Sequence, residues 1–115
     1  MPRSSKRYEN RQHLEWVHHF RCCLHKFDKS KYCYNQEVQV HHLMKPWNGH
    51  RGMGLKANDR NLIPLCFAHH NELHQHGNEK KFFAEKTGDE SYGQEVAKAY
   101  WLISPYNKDF EDDNR

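Results

Sequence analysis

Long apolar runs are missing from this chain of 115 residues. None approaches the roughly 20 residues that a membrane-spanning helix needs. The opening stretch MPRSSKRYEN also lacks the apolar segment of a secretory leader. The expectation is a cytoplasmic protein with no membrane partner. Apolar residues are scarce throughout, at 36% hydrophobic against 29% charged, so the core must be small. A domain this short commonly needs a disulfide or a structural metal in addition to apolar burial. In a reducing compartment cysteines more often ligate metal or catalyse than pair with each other. There are four, Cys22, Cys23, Cys33 and Cys66. A large net charge is absent too, with a balance of +3. Its distribution is uneven: residues 1–60 carry 12 Lys/Arg against 5 Asp/Glu, whereas residues 61–115 carry 6 against 10. The first part can attract a polyanion while the second stays acidic. No internal repeat is present, and an aromatic content of 13% is not that of a disordered chain.

The pattern of residues predicts one α+β domain over 9–105, between a basic tail at 1–8 and an acidic tail at 106–115. In ENRQHLEWVHHF, Leu14, Val17 and Phe20 recur at helical spacing. A lysine-rich loop bounded by cysteines follows. QEVQVHHLM alternates Val38 and Val40 with polar neighbours, the period of a strand. Pro46, Gly49, Gly52 and Gly54 mark a long loop. NLIPLC reads as a second strand, confined by Pro64 to an edge or an end. FAHHNELHQH reads as a helix closed by Gly77. Two more helices are expected, in NEKKFFAEKTG and in SYGQEVAKAYWLIS, the latter capped by Ser91 and stopped by Pro105. Leu14, Trp16, Phe82, Phe83, Tyr100 and Trp101 are assigned to packing, and His13, His18, His19, His50 and His76 to the surface.

Two stretches concentrate metal-ligating side chains. LCFAHHNELH and VQVHHLM together hold five of the 11 histidines. Residues four apart on a helix share a face, so His70 and His74 would aim two imidazoles at one point. His41 and His42, adjacent on a strand, diverge, which lets one ligate while the other serves as a base. By chance alone, His-x3-His on a helix is ordinary polar surface. The order of His41, His42, Asn61, Cys66, His70 and His74 makes the chemical reading the stronger one.

Strand, loop, strand, then a helix with His-x3-His resembles the ββα-metal (HNH) endonucleases. VHH followed by NLIPLCFAHHNELH carries the likeness, with the family's H, N and H at His42, Asn61 and His70. It is similar in particular to small phage and prophage HNH nucleases of the recombination-enhancement group. The likeness covers roughly residues 14–103. It implies a small ββα-metal core with flanking N- and C-terminal helices, in a bacterial or phage-infected host cell. It also implies a divalent cation on His41, His70 and His74, His42 as general base, and Asn61 bonding backbone across the loop and fixing the His42 ring. Histidine's ordinary pKa of about 6.5 suits a base at neutral pH. Three histidines favour Zn2+ or Ni2+, whereas Mg2+ or Mn2+ prefers more oxygen.

The resemblance further implies a zinc staple. Cys66 and His69 would supply one ligand pair, and Cys33 the last ligand of the other. The remaining ligand is Cys22 or Cys23, with Cys22-x2-His25 a further option. DNA is the expected partner, held through Lys45, Arg51, Lys56 and Arg60 around the glycine-rich loop, with Lys26, Lys29 and Lys31 extending the same charge. Such contacts neutralise phosphates without reading bases. Trp47 either stacks on a base or packs on the core. Two functions remain open: a DNA endonuclease or nickase, and a zinc-stapled module of the same fold that binds nucleic acid without cutting it.

Overall fold

A computed structural model describes residues 7–28, 33–50 and 55–107. Most of both tails, and Lys29, Lys31, Arg51, Gly52 and Gly54, lie outside the described residues. Among the described residues, two strands and four α-helices form a small α+β fold. Strands β1 (Val38–His42) and β2 (Leu62–Cys66) pair antiparallel, from Val38 opposite Cys66 to His42 opposite Leu62. Every β2 side chain is buried. Pro64 sits in its middle because the N and C=O of one strand residue point to the same side. Its carbonyl accepts from the Cys23 N–H at 2.9 Å, on the side away from β1. The missing N–H therefore costs no ladder bond.

Strand β2 passes straight into helix α2 (Phe67–His76), with Cys66 as both the last strand residue and the helix cap. Its Sγ accepts from the His69 N–H at 3.4 Å. Gly77 closes α2 at φ 80°, a left-handed conformation that glycine adopts without strain. Helix α3 (Glu79–Thr87) starts at Asn78, whose side chain accepts from the Lys81 N–H. Helix α4 (Tyr92–Ile103) follows. The expected Ser91 side-chain cap is not formed; Ser91 instead donates its N–H to Asp89 Oδ1 at 2.9 Å. Helices α3 and α4 approach closely at Gly93, where an added Cβ would lie 2.7 Å from the Phe83 ring.

Leu43, Ile63, Leu65, Leu73, Phe82, Phe83 and Ala97 make the core. The first helix, α1 (Arg11–His18), packs by a different face from the one its apolar spacing predicts. Val17 and His13 are buried, while Leu14 and Phe20 are only half-buried. His13, assigned above to the surface, is fully buried. It meets the Trp101 ring edge to face at 4.9 Å, and its Nδ1 lies 2.9 Å from Ser104 Oγ. A ring that can both pack on an indole and bond a buried hydroxyl fills this position better than leucine. Among the described residues, no helix is long and apolar enough to cross a membrane.

Candidate functional site

The strand–helix junction brings Cys66 and His69 together with Cys22 and Cys33, all four buried. Their ligand atoms lie within 4.8 Å of one another. His69 Nδ1 is 3.5 Å from Cys22 Sγ and 3.3 Å from both Cys33 Sγ and Cys66 Sγ. Zinc bonds of about 2.3 Å to sulfur and 2.0 Å to nitrogen, at tetrahedral angles, give a nitrogen–sulfur edge of about 3.5 Å. The cluster already has those dimensions and could hold a metal such as zinc. Burial pushes the Cys22 and Cys33 thiols above their ordinary value, so bound metal would have to displace their protons. Spacing left the fourth member open; the fold brings Cys22 to the cluster. Cys23 is not part of the grouping, and His25 Nδ1 is spent on the Cys22 carbonyl at 2.9 Å.

The far side of His69 is held as well. Its Nε2 lies 3.0 Å from Asp28 Oδ2, so the proton sits there and Nδ1 presents a lone pair to the sulfurs. Asp28, His69 and Glu72 themselves form a grouping of metal-ligating types. Lys86 fills it instead, its ammonium 2.8 Å from Asp28 and 2.9 Å from Glu72.

The second cluster joins β1 to α2. His41, His70 and His74 place one nitrogen each within 4.8 Å of the others. Burial grades outward, with His41 buried, His70 half-buried and His74 exposed. His41 Nε2 lies 2.8 Å from Glu79 Oε2, and that carboxylate also accepts the N–H groups of Met44 and Lys45. A carboxylate only accepts, so a neutral His41 carries its proton on Nε2 and a lone pair on Nδ1. His70 Nδ1 donates to Gln39 Oε1 at 2.6 Å, which leaves a lone pair on its Nε2. Those two lone pairs face each other across 3.2 Å. Two neutral rings so oriented repel; a shared cation would resolve the contact. His74 Nε2 completes the group 3.1 Å from His70 Nε2. Three nitrogens about 2.0 Å from a tetrahedral zinc stand about 3.3 Å apart. Burial, then the neighbouring His41 and His74, lower the His70 pKa to about 4, so its ring is neutral near neutral pH and free to ligate.

His42 points elsewhere but shares a cleft of about 290 Å³ with the three histidines, together with Val40, Met44, Leu55 and Lys56. A larger cavity of about 730 Å³ opens beside Cys22 and Cys33, away from these histidines. His42 Nε2 is 2.7 Å from Asp59 Oδ1. Asp59 Oδ2 accepts the Asn10 N–H at 2.8 Å, and Arg7 donates to Oδ1 at 3.2 Å. Burial alone would raise the Asp59 carboxyl, but the His42 bond, the Asn10 amide and the Arg7 charge outweigh it and hold it below its ordinary value.

These geometries belong to a chain whose residues 1–99 match the family model described as Protein of unknown function (DUF968). The chain belongs to the DUF968 family. It is also similar to Uncharacterized protein YdfU of Escherichia coli (strain K12), at 56% identity over 34 residues. That match takes in 30% of this chain and 9% of YdfU, so the chain spans a small part of that relative's length. No solved structure matches it.

In this DUF968 chain Asn61 is wholly buried and bridges the long loop, as expected. Its Oδ1 accepts the N–H groups of Trp47 and Asn48, and its Nδ2 donates to the Asn48 carbonyl. It does not bond the His42 ring; Asp59 does. Lys45 and Lys56 are exposed, and Lys56 reaches the cleft. Arg60 is committed within the fold, its guanidinium 3.9 Å above the Tyr8 ring and 3.3 Å from Asn48 Oδ1. Trp47 packs, its indole N–H bonded to the Arg60 carbonyl at 2.8 Å. Asp28, Asp59 and Glu79 went unnoticed in the sequence. Asp59 lies in a stretch that reads as turn, and Glu79 in a first helical turn, where an acid is ordinary.

Proposed function

We propose that this protein is a metal-dependent endonuclease of the ββα-metal (HNH) kind that hydrolyses DNA phosphodiester bonds with little sequence preference. The observation that carries the reading is the pair of opposed lone pairs on His41 Nδ1 and His70 Nε2, 3.2 Å apart, at the mouth of a cleft shared with His42. Three imidazoles with an exposed third member leave room for further ligands, the mark of a catalytic rather than a closed site. A divalent cation held there would supply Lewis-acid charge for the scissile phosphate and the departing 3′ oxygen. His42 takes the proton of the attacking water. Lys45 and Lys56 neutralise neighbouring phosphates, while Cys22, Cys33, Cys66 and His69 hold a structural zinc that supports a small core.

The His42–Asp59 pair weighs against a module that binds without cutting, since a purely binding surface has no use for a buttressed imidazole beside a metal cluster. Supercoiled plasmid incubated with the protein and Mg2+, Mn2+ or Ni2+ should be nicked, and EDTA should stop it. His42→Ala should bind DNA and metal normally and cut at least 100-fold more slowly, on the order of a lost general base. A His42→Ala protein that nicks at the wild-type rate would refute the assignment.

A further inference from the structure

Asp59 has no place in the chemistry described so far, yet its carboxylate is almost fully buried and spends both oxygens. Oδ1 lies 2.7 Å from His42 Nε2, and Oδ2 accepts the Asn10 N–H at 2.8 Å. Arg7 Nη1 is 3.2 Å from Oδ1 and also reaches the Ala57 carbonyl at 3.4 Å. The same Nη1 approaches His42 Nε2 only at 3.5 Å, so the carboxylate holds the shorter claim on the ring. An ionised carboxylate cannot donate; the hydrogen between it and His42 must belong to Nε2. Among the described residues, nothing bonds the other ring nitrogen, Nδ1.

We propose that Asp59, backed by Arg7, is a positioning residue that fixes His42 in the Nε2–H tautomer and so makes Nδ1 the nitrogen that accepts the water's proton. The inference rests on the nuclease reading for its purpose but not for its geometry. In the reaction, the water proton passes to Nδ1 while the Nε2–H stays bonded to Asp59. The water oxygen forms its bond to phosphorus as the bond from phosphorus to the 3′ oxygen breaks, and solvent protonates that oxygen. The imidazolium formed on the way lies against a carboxylate that favours it, the role a buried aspartate has beside a histidine base in hydrolases. Glu79 holds the neighbouring His41 in the same way, 2.8 Å from its Nε2. Two adjacent histidines are thus turned by two carboxylates so that each presents Nδ1, one to a cation and one to water.

An asparagine at position 59 tests this with little change of shape. It has one accepting oxygen where the wild type uses two: the Asn10 N–H holds that oxygen at the Oδ2 position, while Arg7, which shares Oδ1 with His42, keeps the Ala57 carbonyl and Glu9 as acceptors. Its NH2 group would therefore face His42, donate to Nε2 and drive the ring proton to Nδ1. The experiment is a long-range 1H–15N correlation spectrum of the imidazoles in zinc-loaded protein at pH 8. It is recorded for wild type, Asp59→Asn and Asp59→Ala, beside plasmid nicking with kcat and KM measured separately. Wild-type His42 should be protonated on Nε2, Asp59→Asn on Nδ1, and Asp59→Ala should show a mixture. Nicking by Asp59→Asn should fall in kcat by on the order of 10²-fold or more, with KM for DNA and metal content unchanged. A wild-type ring protonated on Nδ1, or a ring whose tautomer is the same in all three proteins, overturns the proposal. The spectrum of wild type against Asp59→Asn decides it even if Asp59→Ala does not fold, because the asparagine retains the side-chain volume. Absence of nicking by wild type would refute the nuclease reading, and the spectrum would still decide the role of Asp59.

Discussion

Lowering the pH should weaken the fold at a position remote from either metal cluster, and His13 is the cause. It is fully buried, with Nδ1 on Ser104 Oγ and, among the described residues, no hydrogen-bond partner for Nε2. A protonated ring would bury an unsatisfied N–H and a charge between indoles. Burial lowers its pKa from 6.5 to about 4, and the Asp59 charge opposes this only in part. Between those values the unfolded chain binds a proton that the folded chain refuses, so stability falls as pH falls. It is fully present above about pH 6.5 and is lost down to about pH 4. At about 1.4 kcal/mol per pKa unit the ceiling is about 3 kcal/mol. Small side-chain movements let water reach a protonated ring, and we expect about 2 kcal/mol. His13→Phe fills a similar volume and cannot titrate. It should cost about 1 kcal/mol at pH 7.5 through the lost Ser104 bond. Urea unfolding of both proteins at pH 7.5 and 4.5, with the same zinc, gives a difference of differences in which metal release cancels. Wild type should lose about 2 kcal/mol more than the variant on acidification. Equal losses in both proteins would mean that His13 does not titrate with folding.

Four further outcomes are expected. Cys66→Ser should fail to fold or melt far below wild type, because structural zinc in small domains is worth about 10–16 kcal/mol, more than the whole stability of many domains; His70→Ala should keep its melting temperature within a few degrees yet lose cleavage, as read by calorimetry beside plasmid nicking. Gly93→Ala should destabilise by about 1–3 kcal/mol in urea melts, since its methyl would meet the Phe83 ring at 2.7 Å in a packed core. Lys56→Gln should weaken DNA binding alike for unrelated sequences and flatten the slope of log affinity against log salt by about 1, measured by fluorescence anisotropy.

How much of this was legible in the sequence depends on distance along the chain. Val38 and Val40 alternate, and Gly77 follows a run of helix formers, so β1, α2 and its end could be read locally. His70 and His74 needed only the helical repeat. Which cysteine joins Cys33, Cys66 and His69 could not be read, because Cys22 and Cys23 are adjacent. The choice is made by a bond from the Cys23 N–H to Pro64 on a strand 41 residues later. The three carboxylates are harder still. Asp59, Glu79 and Asp28 meet their histidines across 17, 38 and 41 residues. Acidic side chains are seldom buried, so nothing in their local context marks them. His13 was misread for the opposite reason: apolar spacing pointed to Leu14 and Phe20, and tertiary contact with Trp101 and Ser104 chose the polar ring.

In the proposed function two unlike clusters divide the labour, one holding the fold and the other cutting DNA. Metal content and nicking measured on the same samples, during chelation and stepwise return of cation, test it most directly. Mild chelation should leave one zinc per chain and abolish nicking without unfolding the protein. Returning one further equivalent of Mn2+ or Ni2+ should restore nicking in wild type but not in His70→Ala. Nicking that persists with a single zinc bound, or that never appears at any metal content, would contradict the account.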